Sequence, residues 1–161
     1  RKMLKILLDT NIYGKFVEDE NNEELIERIE SLKNEGKVII LNFRVVRDEL
    51  RNARATNILA VYDKLTANTI HISDEKVEKL AELYFETYKK KGGIQKKDQN
   101  FMNDLRIIAF ASIKGLDIIC SDDMKAFHKK LAQETYNEIN TKNMRRTPHL
   151  FTLSDLKRFW L

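Results

Sequence analysis

The sequence predicts an α/β protein, with a three-layer α/β/α sandwich built around a mostly parallel sheet of about five strands. Two observations lead to this fold class. Short, almost continuously apolar runs alternate along the chain with longer segments of helical periodicity. The first of these runs, residues 4–8, is almost continuously apolar, as expected for a central parallel strand whose two faces are both covered by helices.

The strands are expected at five places along the chain. Residues 4–8 form the most continuous apolar run and suit a central parallel strand. The other strands are expected at 38–41, 69–72, 117–120 and 150–152.

Helical segments fill the intervals between these strands. Asn21-Asn22 can cap a helix that Gly36 ends, and Ser73 can cap a helix that stops at Gly92-Gly93. Further helices are expected at about 44–52, at 56–67, from Asp98 to near Gly115, after Asp123, and at the end of the chain around Leu156, Phe159 and Trp160. Residues 137–147 are expected to form a polar loop.

The composition fits a single globular domain over residues 3–161. Hydrophobic residues make up 42% of the chain and charged residues 34%, with one proline and five glycines. The single cysteine, Cys120, excludes an internal disulfide and a cysteine-based zinc site. No apolar run is long enough to span a membrane and no signal-peptide pattern opens the chain. We therefore expect a soluble, cytoplasmic protein.

Carboxylates recur where a predicted strand ends or where a helix turns an apolar face inward. These residues are Asp9, Glu49, Asp104, Asp122 and Asp123. Functional groups of open parallel sheets gather at the carboxyl ends of the strands. Ionised carboxylates that are buried together need cations to neutralise them, and hard divalent ions prefer oxygen ligands. The pattern predicts a metal-dependent site for phosphoryl transfer.

Helical spacing places two of these acids on core-facing stripes. Asp104 lies three residues after Phe101 and shares a helix face with Leu105 and Ile108. Glu49 lies three residues after Val46. A surface acid is expected to avoid such a face, so both carboxylates are candidates for a buried site.

Each acid also has a simpler explanation. Asp9 can begin a turn, and Asp122 or Asp123 can cap the following helix. Glu49 can pair with Arg47 or Arg51, and Asp104 with Arg106. The joint occurrence of the acids in this order favours the functional interpretation.

Four motifs resemble the PIN domain, over nearly the whole chain from about Met3 to Phe159. They are Leu7-Leu8-Asp9-Thr10-Asn11, Val45-Val46 followed by Glu49-Leu50, Asn103-Asp104 followed by Ile107 and Ala109, and Ser121-Asp122-Asp123. The last motif is commonly Thr-x-Asp in that family, which aligns Ser121 with the hydroxyl and Asp123 with the acid. The adjacent Asp122 can replace or assist Asp123.

The resemblance implies a metal-dependent endoribonuclease that leaves a 5′-phosphate and a 3′-hydroxyl. Asp9, Glu49, Asp104 and an acid of the Asp122-Asp123 pair would bind Mg²⁺ or Mn²⁺. Thr10, Asn11 and Ser121 would support these carboxylates. Many small PIN domains are VapC-type toxins that form homodimers and bind an antitoxin protein, so an antitoxin and a second copy are expected partners. A housekeeping RNA-processing enzyme would have the same motifs.

The basic residues suggest where RNA would bind. The net charge is +4, although several acids belong to the candidate site. Such an excess of positive charge attracts polyanions, although a solvated surface is the simpler explanation for one charged stretch. The candidates for contacting RNA are Lys96 and Lys97, which lie in the basic stretch 89–97, and Arg106, which follows it.

Other classes fit the sequence less well. A haloacid dehalogenase-like phosphatase needs a second aspartate at position 11, where this chain has asparagine, and a receiver domain needs its acidic pair early in the chain. The remaining alternative is a catalytically weak PIN-like module that binds or processes RNA. It is expected to lack one of the acids, and this chain has a candidate at each position.

Overall fold

The computed structural model describes residues 2–53, 55, 57–94 and 96–161. Within these ranges five parallel strands form one sheet, in the order β3-β2-β1-β4-β5. The strands are β1 (Leu4–Leu8), β2 (Val38–Phe43), β3 (Thr66–His71), β4 (Ile118–Cys120) and β5 (His149–Phe151). The predicted α/β fold class is confirmed.

Helices connect the strands and cover the sheet. They are α1 (Thr10–Glu18), α2 (Glu23–Asn34), α3 (Arg44–Arg51), α4 (Ile58–Leu65), α5 (Glu75–Lys90), α6 (Gln99–Lys114), α7 (Met124–Phe127), α8 (Lys130–Lys142) and α9 (Leu153–Trp160), with a short 3-10 helix at Glu20–Asn22. Helix α4 contacts α1 and α2, and α9 contacts α2, whereas α5 packs on α6 and α8. No helix in the described part of the chain is long and apolar enough to cross a membrane.

The central strand is buried on both faces. Ile6, Leu7 and Leu8 follow one another in β1 and are each at most 1% exposed. Successive side chains of a strand point to opposite faces of the sheet. Because both sets are buried, helices cover both sides of β1, as the continuous apolar run predicts.

Most predicted elements are present, with boundaries that differ by a few residues. The predicted helix at 56–67 begins at Thr56, which lies outside the described residues, and α4 begins at Ile58. This helix ends earlier than predicted because the chain enters β3 at Thr66. The N-cap of α5 is Asp74 rather than Ser73, and its side chain accepts a hydrogen bond from the Val77 backbone N–H.

Two helical regions differ from the sequence prediction. The prediction of a polar loop at 137–147 is wrong, because α8 extends to Lys142 and buries Tyr136, Ile139 and Asn140. Helix α1, directly after β1, was not expected. It buries Ile12, Tyr13 and Phe16 although Gly14 interrupts the sequence.

The order in which strands are added to the sheet reverses its direction beside β1. From β1 the chain adds β2 and β3 on one side of the sheet, and then adds β4 and β5 on the other side. In open α/β sheets such a switch point leaves a crevice at the carboxyl ends of the strands. The predicted site acids that follow strands, Asp9 and Asp122-Asp123, follow β1 and β4, the two strands on either side of this crevice.

Candidate functional site

The register of β1 and β4 sets Asp9 beside the Ser121-Asp122-Asp123 segment. Leu8 is the register partner of Cys120, so the next residues, Asp9 and Ser121, leave the sheet side by side. The Asp9 backbone N–H donates a hydrogen bond to the Cys120 carbonyl over 2.9 Å. Parallel pairing therefore brings the first and last predicted motifs together.

Asp9 is almost completely buried, with 3% of its surface exposed. Its carboxylate accepts hydrogen bonds from the Thr10 backbone N–H (2.8 Å), the Ser121 hydroxyl (2.7 Å) and the Asn11 side-chain amide (3.2 Å). Burial raises the pKa of Asp9 to about 6, against the lowering effect of the Ser121 and Thr10 hydrogen bonds. The predicted supporting residues are thus in contact with this acid.

Helix α3 brings Glu49 to the same edge. The Thr10 hydroxyl donates a hydrogen bond to Glu49 Oε1 over 2.8 Å, so Thr10 joins the start of α1 to α3. Glu49 is half-buried, and its charge contributes to the raised pKa values of Asp9 and Asp104. Val46, which lies three residues earlier on the predicted core-facing stripe, is buried.

Among Asp9 and Asp104, the two acids of the site with raised pKa values, Asp104 has the larger shift. Phe101, Leu105 and Ile108 are buried on its helix face, as the spacing predicts. Burial, the charges of Asp9 and Asp123, a hydrogen bond with Asp123 and the charge of Glu49 together raise the pKa of Asp104 to about 10. Asp9, Glu49, Asp104 and Asp123 therefore lie close enough to repel one another.

The adjacent acids Asp122 and Asp123 have different surroundings. Asp123 contacts Asp104, and its carboxylate also caps α7 by accepting a hydrogen bond from the Lys125 backbone N–H. The Asp122 carboxylate accepts a hydrogen bond from the Leu153 backbone N–H over 2.8 Å and forms an ion pair with Lys15. Asp122 thus joins α1 to the start of α9, whereas Asp123 belongs to the acidic group.

Two of the arginines considered as simple partners, Arg47 for Glu49 and Arg106 for Asp104, pair with other acids. Arg47 pairs with Asp63 at 3.3 Å, and Arg106 pairs with Glu78 at 2.9 Å. The capping role considered for Asp123 is present, and it coexists with the contact to Asp104.

The predicted RNA-contacting cations are partly engaged by acids of α5. Lys97 pairs with Glu82 at 2.6 Å, and Arg106 pairs with Glu78. Lys96 is exposed, and its neighbour Gln95 in the basic stretch lies outside the described residues.

Two cations outside the predicted RNA contacts lie at the site, and one of them, Lys125, belongs to a second basic stretch of the sequence. Lys15 holds Asp122, and Lys125 lines a cleft beside Asp104 and Asp123. The position of Lys125 two residues after the last acid is a usable sequence signal. Lys15 could be found only once α1 was known.

The donor set suits a hard divalent cation in its chemistry. The acidic group consists of carboxylate oxygens at a partly buried edge, which is the ligand type that Mg²⁺ and Mn²⁺ prefer. Burial, together with the charges of the neighbouring carboxylates, raises the pKa values of Asp9 and Asp104, and a bound cation would offset both effects. Within the described residues no three acidic, histidine or cysteine side chains stand at ligating positions, so ligation requires side-chain rotation.

Solved structures resemble this chain over almost its whole length. One is VapBC2 from Rickettsia felis bound to a DNA fragment from its promoter, with 15% identity and a TM-score of 0.57, covering 92% of this chain and 98% of that one. FitAcB from Neisseria gonorrhoeae has 20% identity and a TM-score of 0.55, covering 91% and 96%. DNA-bound VapBC from Salmonella typhimurium has 18% identity and a TM-score of 0.55, covering 93% and 97%. No protein-family model matches the sequence, and no curated protein matches it.

These likenesses define the fold. Their identity to this chain is only 15–20%, so the likeness is one of fold. The chain has the PIN-domain fold, and the resemblance predicted from its motifs is confirmed at that level.

Proposed function

We propose that this protein is a metal-dependent endoribonuclease that hydrolyses RNA phosphodiester bonds. One observation carries the proposal: the acidic group of Asp9, Glu49, Asp104 and Asp123 at the switch point of a PIN-domain sheet. Maintaining such a group costs folding free energy unless a cation binds it, so its presence favours a metal-binding function.

Asp9, Asp104 and Asp123 would hold one or more Mg²⁺ or Mn²⁺ ions, with Glu49 binding directly or through water. A bound ion of this kind lowers the pKa of a water ligand and stabilises negative charge that develops on the phosphoryl oxygens. Neither a histidine base nor a nucleophilic serine is required.

The neighbouring side chains would fix the orientation of these acids. The Ser121 hydroxyl and the Asn11 amide both donate to Asp9 Oδ2, which leaves its other oxygen paired with the Thr10 backbone. The Thr10 hydroxyl holds Glu49 at the same time. Such supporting hydrogen bonds reduce the reorganisation that ligand binding requires.

The alternative is a PIN-like module that binds or processes RNA with little cleavage activity. It predicts RNA binding without metal-dependent cleavage. The complete set of acids in the site argues against it, because a binding module has no need of mutually repelling carboxylates.

Cleavage of single-stranded and structured RNAs with Mg²⁺, with Mn²⁺ and with EDTA tests the proposal. We expect wild-type cleavage to require metal and Asp104→Asn to lower it by about a hundredfold or more. Asp63→Asn is the matched control, because Asp63 is exposed on α4 and pairs with Arg47 outside the acidic group.

Each result has a definite meaning. Equal cleavage by wild type and Asp104→Asn would exclude the proposed site. RNA binding by wild type with no cleavage under any metal condition would favour the binding module.

We further propose that the chain is a toxin inhibited by a small antitoxin protein. A groove of about 560 Å³ between α1, α2 and α4 suits such a partner, because apolar and acidic side chains line it together. The apolar residues are Phe16, Val17, Ile26 and Val61, and the acids are Glu20, Glu23, Glu27 and Glu30, of which Glu30 pairs with Lys64. A basic amphipathic segment is complementary to this surface.

Expression in growing cells tests the toxin proposal. We expect the wild-type chain to arrest growth, Asp104→Asn to be harmless, and co-expression of a small protein encoded beside the gene to restore growth. Normal growth with active wild-type protein would favour a housekeeping nuclease.

A homodimer is also proposed, from the resemblance. Trp160 packs partly against the core, so the last helix serves core closure, while Phe159 is half exposed. Light scattering of the purified protein gives the oligomeric state, and a monomer at micromolar concentration would contradict this proposal.

A further inference from the structure

Two clefts meet at the side chain of Gln99. The first, here named the Asp104 cleft, has a volume of about 330 Å³ and is lined by Asp104, Asp123 and Lys125 among others. The second, here named the Glu49 cleft, has a volume of about 340 Å³ and is lined by Glu49 and Arg106 among others. Three acids of the site line these clefts, Asp104 and Asp123 in the first and Glu49 in the second, and Gln99 lies in the wall of both.

Each cleft combines acids of the site with one cation at its wall. In the Asp104 cleft this cation is Lys125, an exposed residue whose backbone N–H is bound to Asp123. In the Glu49 cleft it is Arg106, whose side chain is 18% exposed. A phosphodiester chain needs this combination, with metal-binding acids at the cleaved bond and cations for the phosphates on either side.

A hydrogen-bonded network fixes Arg106 and Gln99 relative to each other. The Asn103 side-chain oxygen accepts from Arg106 Nη1 over 2.8 Å and from Gln99 Nε2 over 3.3 Å. Arg106 Nε contacts both carboxylate oxygens of Glu78, at 3.1 Å and 2.9 Å. The boundary between the clefts is thus connected to α5 through Asn103 and Arg106.

Glu78 is an exchangeable partner for Arg106. Its side chain is 45% exposed, and an ion pair at such a site contributes little to stability. A phosphate offers the guanidinium two oxygens in a similar geometry. Arg106 can therefore leave Glu78 for a phosphate while Asn103 continues to orient it.

The size and lining of the clefts favour a single strand. At about 330 and 340 Å³, the two clefts lie at the small end of the range of small-molecule sites. Amide side chains line both clefts, Gln99 and Asn100 in one and Asn52 and Asn103 in the other. Such groups hydrogen-bond to the exposed base edges of unpaired nucleotides.

We propose that single-stranded RNA crosses from the Asp104 cleft to the Glu49 cleft over Gln99, with flanking backbone phosphates bound by Lys125 and by Arg106, and that Arg106 exchanges Glu78 for its phosphate on binding. This inference rests on the proposed ribonuclease function for the identity of the ligand. It adds the path of the strand, two phosphate-binding residues and the residue that competes with RNA.

The test is the binding of a short fluorescein-labelled single-stranded RNA, followed by fluorescence anisotropy over a series of KCl concentrations. Ca²⁺ is present in place of Mg²⁺, because it takes the same oxygen ligands. Lys125→Gln and Arg106→Gln are each expected to weaken binding and to reduce the salt slope by about 0.7, the value for one phosphate of a single strand. Lys37→Gln is the control, because Lys37 precedes β2 at the opposite edge of the sheet.

Glu78→Gln separates phosphate binding from a purely structural role of Arg106. It is expected to strengthen RNA binding, the opposite of Arg106→Gln. Glu75→Gln, on the same helix and in an exposed pair with Lys79, measures the effect of removing one negative charge. Thermal unfolding of every variant checks that it is folded, and Arg106→Lys is expected to restore part of the affinity because it keeps the charge.

Two results would overturn the inference. One is a change of affinity in the same direction for Glu78→Gln and Arg106→Gln, and the other is a Lys125→Gln salt slope equal to that of Lys37→Gln. Binding is measured without cleavage, so the two proposals fail separately. If the protein binds RNA in this way but never cleaves it, only the proposed ribonuclease function is contradicted. If the wild-type protein cleaves RNA and the variants bind RNA as tightly as wild type, only the proposed path of the strand is contradicted.

Discussion

At the scale of single residues, Asp122 and Asp123 show how neighbours in the chain acquire different roles. Residue 123 contacts Asp104, whereas residue 122 is bound to Lys15 and to the Leu153 backbone. Successive residues after a strand point in different directions, so one of two adjacent acids enters the crevice. Sequence could place both acids near the site but could not assign them, because their partners lie in α1, α6 and α9.

We predict that Asp123→Asn abolishes cleavage and leaves stability nearly unchanged. Asparagine is a good N-cap, so the hydrogen bond to Lys125 at the start of α7 is kept while the charged ligand is lost. Asp122→Asn is expected to keep most of the activity and to lose the ion pair with Lys15, at a cost of about 1 kcal/mol, or a fall in Tm of about 2–4 °C. RNA cleavage and thermal unfolding of both variants check this contrast, and inactivity of Asp122→Asn would make Asp122 the ligand.

The raised pKa values predict how the metal-free protein responds to pH. The ordinary pKa of both carboxyl groups is 3.8, but in the folded protein the pKa of Asp9 is about 6 and that of Asp104 is about 10. Between the ordinary and the raised value, each group keeps its proton in the native state and loses it in the unfolded state. Their contribution to stability is therefore full below about pH 4 and is lost as the pH rises. In EDTA, the Tm of wild type is expected to fall from about pH 5 to about pH 9 more steeply than that of Asp104→Asn. Parallel curves for the two proteins would contradict the electrostatic coupling at Asp104.

The cations show where residue-level prediction stops. Charge counting selected Lys97 and Arg106, but it could not show that Glu82 and Glu78, one turn apart on α5, are their partners. Pairing of this kind depends on how α5 packs against the start of α6. The free energy of such exposed pairs is small, which is why they leave no pattern in the sequence.

At the scale of secondary-structure elements, the strands were easier to predict than two of the helices. A buried parallel strand gives a continuous apolar run, and β1 has the predicted bounds. Helix α1 contains Gly14 and several residues of low helix propensity, and α8 ends in Asn-Thr-Lys. Packing of Ile12 and Phe16 in α1, and of Tyr136 and Ile139 in α8, stabilises helices that propensity alone does not favour.

Ser121 joins two elements, and its removal is expected to affect the site more than the fold. Its hydroxyl donates to Asp9 and accepts from the Asp123 backbone N–H, so it connects the ends of β1 and β4. Ser121→Ala is predicted to lower metal affinity or activity by about 10- to 100-fold. Ser121→Thr keeps the hydroxyl and is expected to be more active than the alanine variant.

Ser112→Ala is the matched control for this prediction. Ser112 is also buried and hydrogen-bonded, but its partners are Tyr84 and Asn140, between α5, α6 and α8. It is expected to reduce stability without a specific loss of activity. Metal titration and RNA cleavage of the two alanine variants check the difference, and equal losses in both would mean that Ser121 acts only through stability.

At the scale of the whole molecule, the order of the acids along the chain was sufficient to predict the PIN-domain fold. Four solved structures that share it are only 15–20% identical to this chain, yet each match covers more than 90% of this chain. The acids gather because strand order and parallel pairing bring β1 and β4 together, while α3 and α6 supply Glu49 and Asp104. The fold therefore places four distant motifs together, and the repulsion among their carboxylates would link folding to the metal binding proposed above.

This link predicts that Mg²⁺ stabilises the whole protein against unfolding. A ligand that binds only the native state adds about 2.7 kcal/mol at a concentration of 100 times its Kd, or a rise in Tm of about 5–10 °C for a chain of this size. The rise is expected to be larger at pH 8 than at pH 5, because the metal competes with protons that Asp9 and Asp104 retain at low pH. Asp104→Asn and Asp123→Asn are expected to lose most of the shift, whereas Asp63→Asn is expected to keep it. Thermal unfolding with Mg²⁺ and with EDTA measures these shifts without any RNA. An equal Mg²⁺ shift in wild type and both site variants would mean that the ion binds elsewhere, even if cleavage requires metal.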